Sequence, residues 1–151
     1  MMLEQHSKQP LRLWLRLLGC STAIEKKARA MLVERFATTL PRFDVLAALD
    51  RAPDGLMMSE LSSQLLVSNG NVTAIVSRLV EDGLITRTQD KSDRRILRVR
   101  LTPKGRRDFR LMAAEHEKWI ERLLSDLADT EINHLLAGLS RVRASIERSG
   151  L

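Results

Sequence analysis

The chain has 151 residues, and its 25 lysines and arginines exceed its 19 aspartates and glutamates by a net charge of +6, so we expect one domain, residues 1–151, with an anionic partner. A single cysteine, Cys20, excludes an internal disulfide, and the sequence has no glycine-rich phosphate loop, nucleophile motif or metal-ligand cluster, so we expect neither an enzyme nor a cofactor or metal protein. With no signal-peptide pattern at the start and no apolar run of about 18 residues, we expect a cytoplasmic protein without a membrane partner.

The first predicted element is a long helix over residues 11–36, which contain no proline and carry apolar side chains at helical spacing. Its first turns are apolar on almost every side, because six of the eight residues at 11–18 are large and apolar: Leu11, Leu13, Trp14, Leu15, Leu17 and Leu18. We expect this part of the helix to be buried from several directions.

Three shorter helices are predicted next. Pro41 suits the first turn of a helix over residues 42–49, and Ala52-Pro53-Asp54-Gly55 ends it. Residues 59–66 form the next helix, which we expect Ser59 to cap. A polar turn at 67–70 connects it to a helix over 71–81, and this spacing predicts a helix-turn-helix.

The helix over 71–81 has an apolar face and an opposite face that is short-chained at Ala74 and Ser77. Short side chains matter on the second face, because a helix that enters a DNA major groove roughly 12 Å wide must bring its backbone near the base edges. From the turn and this face we predict seven DNA contacts: Ser68, Asn69, Asn71, Thr73, Ala74, Ser77 and Arg78. A purely structural role in the turn is the alternative, and we favour it for Ser68.

A β-hairpin is predicted directly after this helix, from strands over 84–88 and 96–101. Seven residues, 89–95, connect the strands, so the loop should project from the hairpin as a wing. Residues 84–107 contain nine cations and two anions, which gives this segment a net charge of +7. The rest of the chain has a net charge of −1.

Such a concentration of charge becomes favourable on DNA, where each cation neutralises a phosphate and releases counterions. We therefore predict DNA contacts from Lys91, Arg94 and Arg95, with Asp93 bracing the Arg95 guanidinium. A solvated basic loop without a partner is the alternative.

Two C-terminal helices with apolar stripes complete the prediction. Thr102 is expected to cap and Pro103 to begin the first, and Asp129 or Thr130 begins the second. Together with residues 11–18 they offer more apolar surface than the lobe at 41–107 can cover. We therefore assign 41–107 to DNA binding and 11–36 and 108–148 to dimerisation. A larger monomeric helical core is the alternative.

Five stretches, in this order, resemble the MarR family of bacterial transcription regulators: Leu40-Pro41-Arg42-Phe43, the helix pair from Leu61 to Leu79, Glu81-Asp82-Gly83-Leu84-Ile85, Asp93-Arg94-Arg95 and Leu101-Thr102-Pro103-Lys104-Gly105. The resemblance implies a mainly α fold with a small β-hairpin, in which a winged helix-turn-helix is flanked by N- and C-terminal dimerisation helices. It also implies a homodimer that binds a pseudo-palindrome in double-stranded DNA. We include Arg42 and Lys104 among the predicted DNA contacts, Lys104 through phosphates.

The resemblance also implies a repressor that a small ligand releases, because family members commonly bind an aromatic anion between the dimer helices and the DNA-binding lobe. We expect Trp14, Leu17, Phe36, Phe43 and Phe109 to line such a crevice, with Arg42 or Arg16 as the anion partner. A plain core role is the alternative for each of them. The stretches 36–44 and 68–73 are similar to the branch that represses aromatic-acid catabolism and responds to aryl-CoA thioesters such as hydroxycinnamoyl-CoA.

Two further hypotheses stay open. One is an architectural DNA-binding or protein-interaction winged-helix protein without an effector. The other is a repressor that senses peroxide through Cys20, as some relatives do through a cysteine of the first helix. Because this chain has no tyrosine to activate the thiol, we expect Cys20 to be a buried small hydrophobe instead.

Overall fold

The computed structural model describes residues 8–66 and 71–151. Its helices are α1 (Gln9–Phe36), α2 (Leu40–Asp50), α3 (Met58–Gln64), α4 (Val72–Glu81), α5 (Pro103–Leu123) and α6 (Asp129–Arg148), and its strands are β1 (Leu56–Met57), β2 (Ile85–Gln89) and β3 (Leu97–Leu101). The chain divides into two compact units, one ending at His116 and the other beginning at Glu117. Within the described residues, no helix has both the length and the apolarity that crossing a bilayer requires.

The sheet has three antiparallel strands in the order β1-β3-β2. In the hairpin Ile85 lies opposite Leu101 and Gln89 lies opposite Leu97, close to the predicted strands. Strand β1, which the sequence did not predict, pairs Leu56 with Val99 on the other edge of β3. Two residues are too few to show an alternating pattern, so only the pairing identifies this strand.

Helix α2 is the centre of the first unit. It packs against α1, α3, α4 and β3, and most of its residues are buried. Nine large side chains are almost completely buried and form the core of this unit: Leu32, Val45, Leu46, Leu49, Leu61, Val76, Leu79, Ile85 and Val99. The core therefore joins the helix-turn-helix, the sheet and the second half of α1.

Side chains cap several of the helices. Thr39 Oγ1 accepts a hydrogen bond from the Arg42 amide at 3.3 Å, and Thr102 Oγ1 accepts one from the Gly105 amide at 3.0 Å, as predicted for Thr102. The prediction that Ser59 caps α3 was wrong. That helix begins one residue earlier, and Glu60 Oε1 accepts a hydrogen bond from the Met57 amide at 2.9 Å. A carboxylate one turn into the helix thus satisfies the amide that precedes it.

The first half of α1 and the whole of α6 leave apolar side chains exposed in the single chain. Leu11, Leu13, Trp14 and Leu15 are about half exposed, and α6 has no buried residue. Cys20 is exposed as well, so the expectation of a buried thiol was wrong for this chain. The reason is its position, because burial along α1 begins only at Ala28, two turns further on.

Candidate nucleic-acid interface

Helix α4 is fixed by its apolar face and presents short side chains on the other. Val76 and Leu79 are fully buried, whereas Thr73, Ala74 and Arg78 are exposed. Ser77 is half-buried, and its hydroxyl accepts a hydrogen bond from Arg87 Nη1 at 3.5 Å. The outward face is therefore short-chained at Thr73, Ala74 and Ser77, which suits a major-groove helix, and Arg78 is the long side chain on it. The predicted contacts Ser68 and Asn69 lie outside the described residues.

Asn71 has a structural role in addition to any contact with DNA. Its Oδ1 accepts a hydrogen bond from the Ala74 amide at 3.1 Å, which caps the start of α4. The side chain is exposed, and its Nδ2 group keeps two donors for a base or phosphate.

The end of α3 is attached to α2 by a buried carboxylate that sequence reasoning missed. Asp44 is 5% exposed, and its Oδ2 accepts a hydrogen bond from the Leu66 amide at 2.8 Å. The backbone just after α3 is therefore held to the core at Leu66. The only sequence signal is one acidic residue inside the apolar run of α2.

The wing carries Arg95 in the braced arrangement that the sequence predicted. Asp93 Oδ1 accepts hydrogen bonds from the Arg95 amide at 3.0 Å and from Nε at 3.2 Å, and Asp93 Oδ2 accepts one from Nη2 at 3.2 Å. The Arg95 side chain nevertheless stays 91% exposed. It is thus oriented by Asp93 while its guanidinium remains accessible. Lys91 and Arg94 are exposed on the same loop.

A second carboxylate, Asp90, closes the base of the wing. Its side chain accepts hydrogen bonds from the Ser92 amide at 3.2 Å, from the Ser92 hydroxyl and from Arg98 Nε at 2.9 Å. Its amide donates to the Ile96 carbonyl at 2.8 Å. The Ser92 hydroxyl and then Arg98 lower the pKa of Asp90 to about 2, and the same carboxylate raises the pKa of Arg98. Arg98 is therefore engaged within the wing.

Arg42 and Lys104, two predicted DNA contacts, both bind Asp82, the residue directly after α4. Arg42 Nη2 lies 2.6 Å from Asp82 Oδ2, and Lys104 Nζ donates to the Asp82 carbonyl at 3.2 Å. Close packing explains the glycine that follows Lys104, because a Cβ on Gly105 would lie 2.0 Å from the Leu84 carbonyl oxygen. The Leu-Thr-Pro-Lys-Gly motif thus anchors α5 to the end of α4.

The predicted ligand-binding residues fall into three places. Phe43 and Phe109 have ring centroids 5.4 Å apart and line an apolar cavity of about 390 Å³ with His116, whose pKa is lowered by burial. Phe36 and Arg42 line a second cavity of about 230 Å³. Trp14, Arg16 and Leu17 line neither cavity, and Trp14 is 54% exposed. One crevice containing the whole predicted set is therefore not formed in the single chain.

Across the described parts of the chain, histidine, cysteine and carboxylate side chains nowhere gather in a group of three or more that could hold a metal ion.

Comparison with known proteins identifies similar transcription regulators. The sequence profile of the MarR family matches residues 38–97. A MarR family regulator of known structure from Silicibacter pomeroyi is 30% identical, with a TM-score of 0.80 over 93% of this chain and 97% of that protein. The transcriptional activatory protein BadR of Rhodopseudomonas palustris is 28% identical over 91% of this chain and 79% of its own. Streptococcus pneumoniae FabT, solved in complex with DNA, is 25% identical over 92% and 98%, with a TM-score of 0.72. These likenesses confirm the winged helix-turn-helix fold.

Proposed function

Because this chain belongs to the MarR family of DNA-binding transcription regulators, we propose that it is a homodimeric repressor of a pseudo-palindromic operator that a small aromatic acid or aryl-CoA thioester releases. The observation that carries the proposal is the pairing of a slim, anchored α4 with a wing that presents a braced, exposed Arg95. Helix α4 suits the major groove, and an arginine on a projecting loop suits the narrower minor groove. FabT, a solved relative, is seen in complex with DNA.

The terminal helices support the homodimer. Helix α6 is amphipathic but has no buried residue, and Leu135, Leu139 and Ile146 are 54%, 46% and 62% exposed. An exposed apolar stripe of this kind is typical of a protein interface. A second copy of the chain offers the same stripe, and an isologous contact then buries both.

Sedimentation of matched variants tests the dimer. Leu139→Arg places a charge in the stripe, whereas Ala137→Arg adds the same charge on the opposite side of α6. We expect Leu139→Arg to sediment near the monomer mass of 17.1 kDa and to lose operator affinity, and Ala137→Arg to behave as the wild type. Identical behaviour of the two variants would remove the proposed interface.

Two cavities of the first unit support control by a ligand. The apolar cavity lined by Phe43, Phe109 and His116 suits an aromatic ring. Arg42 lines the smaller cavity and also holds Asp82 at the end of α4. An anionic ligand that draws Arg42 away from Asp82 weakens this hold on α4, the proposed recognition helix, which is a direct route from ligand to DNA affinity. The aryl-CoA class rests on the sequence resemblance of residues 36–44 and 68–73.

Footprinting of the purified chain on DNA from its own upstream region tests the function as a whole. We expect one protected palindromic site, bound at least about a thousandfold more tightly than unrelated duplexes. Titration with benzoate, cinnamate, hydroxycinnamate and their CoA thioesters should abolish the footprint for one chemical class. Equal affinity for all duplexes would support an architectural protein instead, and no affinity for DNA would leave protein interaction.

A reporter fused to the same upstream region measures the sign of the response. We expect deletion of the regulator to raise expression. A fall in expression would indicate activation. The relative BadR is named as a transcriptional activatory protein.

The exposure of Cys20 favours one competing trigger, oxidation. Peroxide should leave operator binding by the wild type and by Cys20→Ser unchanged if a small ligand is the effector. Release of the wild type alone would assign the trigger to the thiol.

A further inference from the structure

We propose that a cavity beside the recognition helix binds a backbone phosphate of DNA, and that Arg29 of α1, outside the helix-turn-helix, is one of its ligands. The inference rests on the proposed DNA-binding function and extends it to a residue that neither the motif nor the wing contains. The cavity has a volume of about 370 Å³ and is bordered by α1, the start of α2 and the exposed side of α4.

Three arginines from three helices line this phosphate cavity: Arg29 of α1, Arg42 of α2 and Arg78 of α4. No carboxylate is among the described residues that line it, so the cavity has an excess of positive charge. Guanidinium groups match phosphate oxygens in planar, paired hydrogen bonds.

Two helix N-termini border the same space. Thr39 caps α2 and Asn71 caps α4, and both residues line the cavity. Each cap satisfies one backbone amide, from Arg42 and Ala74 respectively. Pro41 has no N–H group to offer, but the positive end of each helix dipole still favours an anion. Helices of 11 and 10 residues are long enough for this effect. The helix N-termini and the arginines are independent features, and both favour a negatively charged ligand.

The existing ion pairs leave this charge largely uncompensated. Arg42 is paired with Asp82 at 2.6 Å. Arg29 approaches Glu25 only to 3.9 Å, and both side chains are more than a third exposed, so this contact is weak. Among the described residues, Arg78 has no ion pair closer than 4.0 Å. A phosphate in the cavity can therefore bind Arg29 and Arg78 while Arg42 keeps its pair with Asp82.

The position of the cavity favours a DNA phosphate over a free anion. Its α4 wall includes Asn71, Ala74 and Arg78, which are also predicted DNA contacts. A duplex seated on this face of α4 brings a continuous row of phosphates past the cavity opening. The phosphodiester is then bound as part of the duplex, and Arg29 extends the interface to the first helix.

The salt dependence of operator binding by the full-length protein tests the proposal. Arg29→Ala removes one phosphate contact. The negative slope of log K, the logarithm of the binding constant, against log salt should therefore become shallower by about 0.9 for each bound chain. When the salt concentration rises fourfold, both proteins lose affinity for the operator. The factor by which Arg29→Ala loses affinity should be about threefold smaller per chain than the factor for the wild type. Arg29→Lys keeps the charge and should keep most of the slope.

Arg35→Ala is the matched control, because Arg35 lies on the same helix, carries the same charge and does not line the cavity. Its slope should equal that of the wild type. Equal slopes for Arg29→Ala and Arg35→Ala would overturn the proposal. Melting temperatures near that of the wild type would show that both variants fold.

Inorganic phosphate, titrated into the DNA-free protein and followed by NMR, distinguishes the two sources of a phosphate group. Binding that Arg29→Ala abolishes, together with an unchanged slope on DNA, would assign the cavity to free anions and overturn the DNA assignment. A wild type that ignores duplex DNA in dilute buffer would overturn the proposed function itself. A wild type that binds DNA while Arg29→Ala keeps its slope would overturn this inference alone.

Discussion

The proposed recognition helix α4 and the wing lie next to each other in the chain. They are held in place by different interactions and differ in net charge. The ten residues of α4 contain one cation and one anion, and the helix is fixed by the burial of Val76 and Leu79. The wing lies in a segment with a net charge of +7. Two carboxylates, Asp90 and Asp93, hold the wing in place by accepting hydrogen bonds. Apolar burial is nearly independent of salt, whereas an ion pair as exposed as Asp93–Arg95 is screened by it.

This difference separates two tasks at one interface. A helix that reads base edges needs a fixed position and short side chains, since a displacement of one residue changes which edge it meets. A loop that supplies attraction needs accessible charge and tolerates more movement. We therefore expect substitutions in α4 to act on folding or sequence preference, and substitutions in the wing to act mainly on affinity and its salt dependence, with Arg95 adding discrimination in the minor groove.

The largest effect is expected from removing the apolar anchor of α4. Leu79→Ala leaves a cavity at a fully buried site and should lower the free energy of unfolding by about 2–5 kcal/mol, measured by urea denaturation. The control is Leu97→Ala at the start of β3, where the side chain is 43% exposed and the same change should cost under about 1 kcal/mol. Equal costs would show that the two regions are not held differently.

Truncation of the exposed wing arginine should leave stability unchanged and affect binding. We expect Arg95→Ala to weaken operator binding by about 1–3 kcal/mol in a fluorescence titration, because one guanidinium that contacts DNA is lost. Asp93→Asn should weaken binding less, since Arg95 loses its brace but keeps its charge. The same loss for Arg95→Ala on unrelated sequences would argue against discrimination in the minor groove.

Asp90→Asn tests the base of the wing and should weaken binding less than Arg95→Ala. The hydrogen-bond network lowers the pKa of Asp90 to about 2, so its contribution is complete above the ordinary value near 3.8 and is lost as the pH falls towards 2. Amide protection factors of Asp90 and Ile96 should therefore be equal at pH 7 and pH 5 in the wild type, and lower at both in Asp90→Asn. Asp126→Asn, outside the wing, is the control. A wild-type wing that opens at pH 5 would contradict the assigned network.

The smallest effect is expected from Lys104→Ala. Its ammonium donates to the Asp82 carbonyl and stays exposed, so we expect it to contact DNA only through phosphates. The variant should flatten the salt dependence by about one unit per chain and weaken binding to all sequences alike. Lys118→Ala makes the same charge change on α5 and should not alter the slope. A loss of thermal stability without a change of slope would show that Lys104 acts only as a cap of α4.

Much of the fold could be read from local patterns. Helical spacing predicted α1, α4 and α6, alternating residues predicted the hairpin, and Thr102 was correctly placed as a cap. Asp93 and Arg95 are two residues apart, so their contact follows from the bend of a short loop. Each of these features depends on neighbours within a turn or two, which the sequence states directly.

Other features depend on residues far apart in the chain. Asp44 reaches Leu66 across 22 positions, Arg42 reaches Asp82 across 40, and β1 exists only because Leu56 meets Val99. The meeting of Arg29, Arg42 and Arg78 around one cavity is of the same kind. Such contacts leave no repeating pattern of residues in the sequence, because the packing of α2 against its neighbours creates them.

Residue order alone therefore determined which segments become helices and strands, where the positive charge is concentrated and which faces are apolar, since these follow from backbone preference and side-chain spacing. The tertiary structure decided which charges are engaged and which remain accessible. Arg98 is engaged by Asp90, and Arg95 remains exposed although Asp93 braces it. An ion pair depends on distances between side chains, and for partners on different elements packing sets those distances.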